Sequence, residues 1–201
     1  MTTFNESKVS INILNKDGIV NYYGKILSSV VANQYFDLLM QNIHWEKDQV
    51  IIFGKNITTE RKVAWYGDSE YLYTYSSTTK RALAWTKDLF ELKQIAEKYA
   101  ETKFNSCLLN LYHNGNEGMG WHSDDEKPLG KNNTIASLSF GAERKFSFKH
   151  KQTKQTVSLV LEHGSLLIMK GATQSNWLHS LPKSKNMTQP RINLTFRTIR
   201  E

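Results

Sequence analysis

The sequence predicts an α+β fold that is mainly β, with a β-sandwich or jelly roll buttressed by N-terminal helices. Apolar residues recur at helical spacing twice before residue 100, and from about residue 104 they alternate with polar residues instead. Six or more short alternating runs then follow one another, separated by turns that contain Gly, Asn, Lys or Pro. At 201 residues, with no repeat, linker or low-complexity tract, the chain has the size of one domain.

Two amphipathic helices are predicted in the first half of the chain, one over residues 30–43 and one over residues 87–100. Apolar side chains at helical spacing define the inward face of each helix. These faces consist of Val31, Tyr35, Leu38 and Leu39 in the first helix, and of Leu89, Leu92, Ile95, Ala96 and Tyr99 in the second. Ser28 or Ser29 precedes the first helix and Thr86 the second, and such hydroxyl residues cap helix N-termini.

The predicted strands begin at about residue 104, and their sequences are FNSCLLNLYH, TIASLSFG, RKFSFKH, TVSLVLE, SLLIMK and RINLTFRTI. In the last of them, a core face of Ile192, Leu194 and Phe196 alternates with a polar face of Arg191, Asn193, Thr195 and Arg197. Two arginines, an amide and a hydroxyl on one face suit an anion pocket. The alternative is a pair of surface arginines on an edge strand.

Composition indicates a polyanionic partner and a reducing compartment. Residues 141–201 hold 11 Lys and Arg against 3 Asp and Glu, whereas residues 1–140 hold 15 against 16. Such an uneven positive charge favours nucleic acid as a partner. The single Cys107 excludes an internal disulfide framework. Without a visible signal peptide or an apolar run near the about 20 residues of a membrane span, we expect no membrane contact and an intracellular location, cytoplasmic if bacterial and nuclear if eukaryotic.

The stretch MGWHSDDE, residues 119–126, is the strongest candidate for a metal site. His122 and Asp124 are two residues apart, so at the end of a strand both side chains leave the same face. His179 follows 57 residues later, just before the arginine-bearing strand. Two histidines and one carboxylate form the facial triad of non-haem Fe(II) oxygenases. The alternatives are a solvated acidic turn and, for His179, a hydrogen-bonded structural histidine.

The arginine-bearing strand indicates which kind of oxygenase this would be. An Fe(II) enzyme that uses 2-oxoglutarate has to hold a dicarboxylate, and a planar guanidinium binds a carboxylate through two parallel hydrogen bonds. Arg191 and Arg197 have the same parity, so both can face one interior with Thr195 between them. The other four histidines close helices or strands or lie in a turn, and are poorer ligand candidates: His44, His113, His150 and His163.

Five segments resemble the AlkB family of 2-oxoglutarate/Fe(II) dioxygenases, most of all the branch that repairs alkylated bases in duplex DNA. They are NLYHNGNEGMGWHSDDE, IASLSFGAERKFSFKHK, LEHGSLLIMKG, WLHSLP and PRINLTFR. The resemblance extends from about residue 50 to residue 199. It implies one AlkB-like domain over residues 1–201. A double-stranded β-helix (jelly-roll) catalytic core would cover about 104–199, and a nucleotide-recognition lid with a finger hairpin about 50–80.

The resemblance also implies a metal and co-substrate site. The catalytic residues would be the three ligands of Fe(II), namely His122, Asp124 and His179. Side chains from neighbouring strands would form the 2-oxoglutarate pocket, namely Asn110, Tyr112, Arg191, Thr195 and Arg197. In this pocket Arg191 would pair with the distal carboxylate, helped by Tyr112. Without the resemblance, Tyr112 is predicted to be a core aromatic.

Six residues match substrate-binding positions of the family, namely Phe53, Gly54, Arg61, Tyr73, Tyr75 and Asp125. Tyr73 and Tyr75 would line the pocket of a flipped base, and Phe53 would enter the gap that the base leaves. Arg61, next to Lys62, would lie near the DNA backbone, although Glu60 replaces the usual preceding proline. The alternatives are aromatic packing in a half-buried strand and, for Phe53, a core position.

Asp125 matches a carboxylate near the substrate base, where a negative charge favours cationic lesions. Its neighbour Glu126 is expected to be solvated. A basic group around the strand pair that contains Phe146 and Phe148 would contact phosphates, or would be an ordinary solvated face: Arg144, Lys145, Lys149, Lys151 and Lys154.

The function implied by these features is direct-reversal DNA repair. With Fe(II), 2-oxoglutarate and O2, the chain would oxidatively demethylate N-alkylated bases such as 1-methyladenine and 3-methylcytosine in double- or single-stranded DNA. Its expected form is a monomer. The alternatives are an RNA demethylase or protein-directed dioxygenase of the same fold, a non-catalytic nucleic-acid-binding jelly roll and, more remotely, a zinc hydrolase.

Overall fold

The computed structural model describes residues 10–52, 55–75 and 78–200. Its strands are β1 (Ile11–Asn12), β2 (Ile19–Lys25), β3 (Glu46–Ile52), β4 (Lys55–Gly67), β5 (Leu72–Tyr75), β6 (Thr78–Arg81), β7 (Leu83–Ala84), β8 (Ser106–Tyr112), β9 (Met119–His122), β10 (Ile135–Gly141), β11 (Arg144–His150), β12 (Thr156–Leu161), β13 (Ser165–Lys170), β14 (Trp177–Leu181) and β15 (Arg191–Arg197). Its helices are α1 (Ser29–Asn42), α2 (Lys87–Ala100) and the short α3 (Thr173–Asn176), and a 3-10 turn covers Lys127–Leu129.

Two antiparallel sheets form the body of the fold. The larger has the order β1-β2-β13-β10-β15-β8-β4-β3, with β7 in parallel contact with β4. The smaller has the order β12-β11-β14-β9, and the pair β5-β6 belongs to neither sheet. This arrangement confirms the predicted mainly β, jelly-roll class.

Each side of the larger sheet packs on a different layer. Helices α1 and α2 cover one side, where Leu39 and Leu92 join Phe140, Leu194 and Phe196 in the main apolar core. A second apolar core contains side chains of both sheets, among them Ile135, Leu167, Phe148 and Trp177. The two sheets therefore face each other, and the interior between them is where inward polar side chains of β8 and β15 meet.

Both helices lie where the sequence predicts them, and both caps are present. Ser28 accepts a hydrogen bond from the backbone N–H of Val31, and Thr86 accepts one from Leu89. The predicted inward position of Leu38 is wrong, because its side chain is exposed while Ala32 and Leu39 are buried. Ala32 and Leu39 are seven residues apart and lie on the face of α1 that packs on the sheet. Leu38 lies beside that face, one position before Leu39 along the helix. No helix in the described ranges is long and apolar enough to cross a membrane.

Candidate active site

Antiparallel pairing of β9 with β14 brings two of the predicted metal ligands together. His122 and His179 are direct register partners, and their ring centroids are 4.2 Å apart. Asp124 follows two residues after His122, at the end of β9. Ligand atoms of these three residues all lie within 4.8 Å of one another. The group therefore offers two imidazole nitrogens and one carboxylate oxygen to a single ion, as the spacing of the sequence predicts.

The surroundings of the two histidines suit metal ligands. His179 is 5% exposed and lies beside the rings of Phe146 and Phe148. Burial lowers the pKa of His179 to about 3, so its ring stays neutral at physiological pH. The Nδ1 of His122 lies 2.9 Å from the Gly120 carbonyl oxygen. A proton on Nδ1 would be donated to that oxygen, which leaves Nε2 for a metal.

The Asp124 carboxylate is buried and ionised. Burial alone would raise its pKa, but the Arg197 guanidinium and the two histidines outweigh burial and hold the pKa of Asp124 below its usual value. Arg197 donates to Oδ2 of Asp124 from Nε at 3.1 Å and from Nη2 at 2.6 Å. The backbone N–H of Asp124 donates to Gln174, and its carbonyl oxygen accepts from Asn133. A fixed, charged carboxylate is what a metal ligand requires.

Arg191 is a fully buried cation beside this cluster. Burial lowers the pKa of Arg191 to about 10, and its Nη2 donates to Ser139 Oγ at 2.9 Å and to Asn193 Oδ1 at 2.8 Å. The guanidinium carbon lies 5.6 Å from the ring centroid of Tyr112. Within the described ranges, its Nε has no hydrogen-bond partner and no carboxylate pairs with it. A buried guanidinium with spare donors fits an external carboxylate such as that of 2-oxoglutarate.

The other predicted co-substrate residues line the same interior. Asn110 on β8 is the register partner of Asn193 on β15, and both Tyr112 and Thr195 are buried. Asn193 donates to Thr195 Oγ1 and accepts from Ser137 as well as from Arg191. Strand β15 thus links the predicted co-substrate residues to the metal cluster, because Asn193 joins Arg191 to Thr195 and Arg197 donates to Asp124.

Several residues of this network were not predicted as site residues from the sequence, namely Asn133, Ser137, Ser139, Gln174 and Asn193. A signal was available for the serines, because Ser137 and Ser139 alternate with apolar residues along β10 and so face the polar interior. The same parity holds for Asn193 on β15. Gln174 lies in the short helix α3 and Asn133 in the loop before β10, and the approach of both residues to Asp124 depends on the tertiary fold.

The lid residues are described only in part. Phe53 and Gly54 lie outside the described residues. Tyr73 and Tyr75 belong to β5, where they pair with Lys80 and Thr78 of β6.

Arg61 and Asp125 differ in exposure. Arg61 is 7% exposed and donates to both Asn110 and Asp48, so its guanidinium is buried in the interior. Asp125 is exposed at the surface, and its carboxylate lies 3.4 Å from Nζ of Lys151. Glu126 is exposed as well, as expected.

The predicted phosphate contact of Arg144 is wrong, because Arg144 is 2% exposed. It donates to the carbonyl oxygens of Asn114, Glu117 and Pro182. Its parity along β11 is that of the inward Phe146 and Phe148, and this parity could have indicated its burial. The lysines of the group lie on the outside, and Lys149 covers the exposed ring of Trp121 at 4.3 Å.

Comparisons with known proteins agree with this geometry. The family profile described as "2OG-Fe(II) oxygenase superfamily" matches residues 19–197. The chain is 36% identical to mouse "DNA oxidative demethylase ALKBH2" over 197 residues, which cover 92% of this chain and 82% of that protein. Its identity to the human protein of the same name is 35%, over 91% of this chain and 74% of that one.

A second group of relatives matches only in part. Bovine "Alpha-ketoglutarate-dependent dioxygenase alkB homolog 3" is 47% identical over 120 residues, or 55% of this chain. The match spans 42% of the length of that relative. The solved structure of OsALKBH1 superposes with a TM-score of 0.60 over 92% of this chain and 99% of that chain, at 14% identity. This last likeness concerns the fold alone.

Proposed function

The chain belongs to the AlkB family within the 2OG-Fe(II) oxygenase superfamily, and from this premise we propose that it oxidatively demethylates N-alkylated bases in DNA. The proposed lesions are 1-methyladenine and 3-methylcytosine. The observation that supports the proposal most strongly is the His122, Asp124 and His179 cluster, which shares an interior with the unpaired buried cation of Arg191. A metal centre beside an anion pocket is what a 2-oxoglutarate-dependent oxidation needs.

We propose that the three clustered residues hold Fe(II) and that Arg191 holds the distal carboxylate of 2-oxoglutarate, with Tyr112 beside it. Asn110, Thr195 and Arg197 complete this pocket. When bound, Fe(II) with 2-oxoglutarate and O2 supplies the oxidation of the N-alkyl carbon, and the co-substrate leaves as succinate and carbon dioxide. The N-hydroxymethyl group formed on the base then departs as aldehyde, which restores the unmodified base.

The residues of the chain supply position and charge. Arg197 keeps Asp124 ionised and fixes its carboxylate, so the ligand set has one negative charge before any ion binds. The Gly120 carbonyl orients the ring of His122, and the rings of Phe146 and Phe148 exclude water from His179. Asn193 holds Arg191 in place and links it to Thr195. A dry, preorganised site makes each of these interactions stronger than it would be in water.

On the substrate side we propose that Tyr73 and Tyr75 stack on a flipped base and that Phe53 with Gly54 fills the vacated stack. The Asp125 carboxylate, directly after the buried Asp124, would favour the positive charge of 1-methyladenine or 3-methylcytosine. Arg61 would act from the interior through Asn110, since its guanidinium is buried.

We further propose one domain over residues 1–201, a monomer and an intracellular location, cytoplasmic in a bacterium and nuclear in a eukaryote.

The test is loss of lesion from defined oligonucleotides. The purified chain is incubated with Fe(II), ascorbate, 2-oxoglutarate and air, with matched single- and double-stranded DNA that contains 1-methyladenine, and lesion loss is read by mass. Loss that needs both 2-oxoglutarate and Asp124, with Asp124→Ala as control, supports DNA repair. Retention of the lesion in both DNA forms, but loss from a matched RNA, would move the substrate to RNA. Retention in all nucleic acids while 2-oxoglutarate is consumed would point to protein side chains.

A further inference from the structure

A second buried arginine, Arg144, lies close to Arg191. It is 2% exposed, and it donates to the carbonyl oxygens of Asn114, Glu117 and Pro182 at 3.3, 2.9 and 2.8 Å. Its Nε is buried and has no hydrogen-bond partner in the described part of the chain. No carboxylate among the described residues forms an ion pair with it. Arg144 and Arg191 are thus two buried guanidinium groups, and the Nε of each lacks a hydrogen-bond partner among the described residues.

The backbone explains why the two arginines are neighbours. Gly141, at the end of β10, is the register partner of Arg191 on β15, and the N–H of Ala142 donates to the Pro190 carbonyl at 2.8 Å. The short connection from β10 to β11 then leads directly to Arg144. Burial is the main cause of the lowered pKa of Arg191, and the positive charge of Arg144 lowers it further, while Tyr112 lies near enough to act on both arginines.

Two like charges in one dry region are costly unless an anion joins them. The carboxylate whose negative charge acts on Arg144 is that of Glu117. Its carboxylate is already engaged by His113, through the backbone N–H at 2.9 Å and through Nδ1 at 3.0 Å. Glu117 therefore partly offsets the charge of Arg144, and no carboxylate among the described residues pairs with Arg191. A ligand with an additional negative charge near the two arginines would complete the balance.

Arg144 also joins two loops that lead to the site residues. The loop 113–118 follows Tyr112 and precedes β9 with His122, and the loop 182–190 follows β14 with His179 and precedes Arg191. These loops are hydrogen-bonded to each other, from Ser184 N–H to Gly115 and from Gly115 N–H to Met187, at 2.8 and 2.7 Å. Arg144 donates to carbonyls of both loops, so one guanidinium fixes the ends of the strands that bear the predicted ligands.

We propose that Arg144 is a positioning and specificity residue for the co-substrate. Its guanidinium holds the loops 113–118 and 182–190 next to Arg191 and Tyr112. Its positive charge makes this region bind a 2-oxo acid with a second carboxylate more tightly than one without it. This inference rests on the proposed function, because it takes 2-oxoglutarate to be the co-substrate. Arg191 contacts the distal carboxylate of 2-oxoglutarate directly. Arg144 affects binding of the same carboxylate indirectly, by holding the loops and by adding positive charge near Arg191.

The test measures binding, without turnover. The chain is loaded with Mn(II), and calorimetry gives the Kd of 2-oxoglutarate and of 2-oxopentanoate, which has the same chain length but no distal carboxylate. Arg144→Gln should weaken 2-oxoglutarate binding by about tenfold or more, the scale of one missing interaction with a charged group. Its Kd for 2-oxopentanoate should stay within about twofold. Arg144→Lys, which retains the charge but lacks the planar guanidinium that joins the two loops, should recover part of the lost affinity.

Controls separate this role from a purely structural one. Arg200→Gln removes an exposed arginine and should leave both affinities unchanged. Equally weakened binding of both acids by Arg144→Gln, or unchanged binding of both, would overturn the specificity role.

If Arg144→Gln does not fold, hydrogen exchange on the wild-type chain provides the test. 2-Oxoglutarate should then slow amide exchange in residues 113–118 and 182–190 more than 2-oxopentanoate does, and equal protection by the two acids would overturn the inference.

The two proposals fail differently. A wild-type chain that binds no 2-oxoglutarate would overturn the proposed function and this inference with it. Wild-type binding that Arg144→Gln leaves unchanged would overturn the inference alone, and the DNA-repair proposal would stand.

Discussion

At the scale of single residues, the candidate site is governed by charges that the fold has removed from water. Asp124 is held ionised by Arg197, His179 is held neutral by its burial, and Arg191 is a cation without a carboxylate partner among the described residues. The ion pair with Arg197 offsets the burial of Asp124, whereas the buried neutral His179 and the buried guanidinium of Arg191 cost free energy in the isolated chain that a bound metal or anion can offset. Burial of His179 and Arg191 therefore lowers the stability of the unliganded fold, and it preorganises the site.

His179 gives this cost a measurable pH dependence. The folded-state pKa is lowered to about 3, whereas an unfolded histidine titrates near about 6.5. Between these values the unfolded state binds a proton that the folded state does not, so acidification destabilises the fold. In metal-free protein, the free energy of unfolding should fall from pH 6.5 toward pH 4.5 by up to about 1.4 kcal/mol per pH unit more in the wild type than in His179→Gln. Urea unfolding at both pH values measures this, and parallel slopes for the two proteins would refute it.

Asn193 gives a second prediction at this scale. Its side chain accepts from Arg191 and Ser137 and donates to Thr195, so Asn193→Ala frees the guanidinium to leave its position. We expect the Kd of 2-oxoglutarate to rise by about tenfold, as calorimetry on the Mn(II)-loaded chain would show. Asn116→Ala, in an exposed turn, is the matched control. An unchanged Kd for Asn193→Ala would mean that Arg191 needs no such support.

At the scale of elements, parity along the strands decides which residues reach the site. Strand β15 puts Ile192, Leu194 and Phe196 toward the helices, and this leaves its polar residues to the interior between the sheets. The alternation of apolar and polar residues along β15 is visible in the sequence, and so are the two helices with their N-terminal caps. The metal cluster was predictable because His122 and Asp124 are near neighbours and His179 precedes the arginine-bearing strand. The structure then adds the β9–β14 register.

Other features could not be obtained from the sequence because they depend on packing between distant segments. Arg61 meets Asn110 only after β4 pairs with β8, and Gln174, just before β14, reaches Asp124 only because β14 pairs with β9. Leu38 was misplaced because two adjacent stripes of α1 are both apolar, and only packing on the sheet selects one. Arg144 was misplaced because its charge suggested the surface while its strand parity indicated the interior.

The loop that Gly115 occupies gives a prediction at the element scale. A Cβ at Gly115 would lie 1.8 Å from the Ser184 carbonyl oxygen, whereas one at Gly120 would meet nothing within 4 Å. Gly115→Ala should therefore destabilise the protein by about 1–3 kcal/mol, because backbone has to move to relieve the overlap. Gly120→Ala should leave stability within about 0.5 kcal/mol. Urea unfolding of both variants gives the comparison, and equal stabilities would contradict the close docking of the two loops.

At the scale of the whole molecule, the formal charge of +7 and its concentration in residues 141–201 match a polyanionic substrate. Lys145 and Lys149 lie on the outer side of β11, whose inner side faces His179. A phosphate backbone at that outer side would lie close to the site. We propose that phosphate contacts position the substrate and that the lid selects the base.

The charge predicts a specific salt dependence. Duplex binding should weaken as salt rises, and the joint change Lys145→Gln with Lys149→Gln should reduce the slope of log affinity against log salt by about 0.9 for each phosphate that the protein no longer neutralises. The control joins Lys87→Gln with Lys98→Gln, two exposed lysines of α2 on the far side of the larger sheet. Fluorescence anisotropy at several salt concentrations measures both slopes. Equal slopes for the two double variants would place the DNA elsewhere.

The central claim is that one site couples the consumption of 2-oxoglutarate to removal of a methyl group from a base. The most direct measurement is the stoichiometry of succinate, formaldehyde and restored adenine from a 1-methyladenine oligonucleotide under Fe(II) and air. We expect equal molar amounts of all three products, and none of them from His122→Ala. Lesion loss without succinate, or succinate formed at the same rate whether or not the lesion is present, would contradict it.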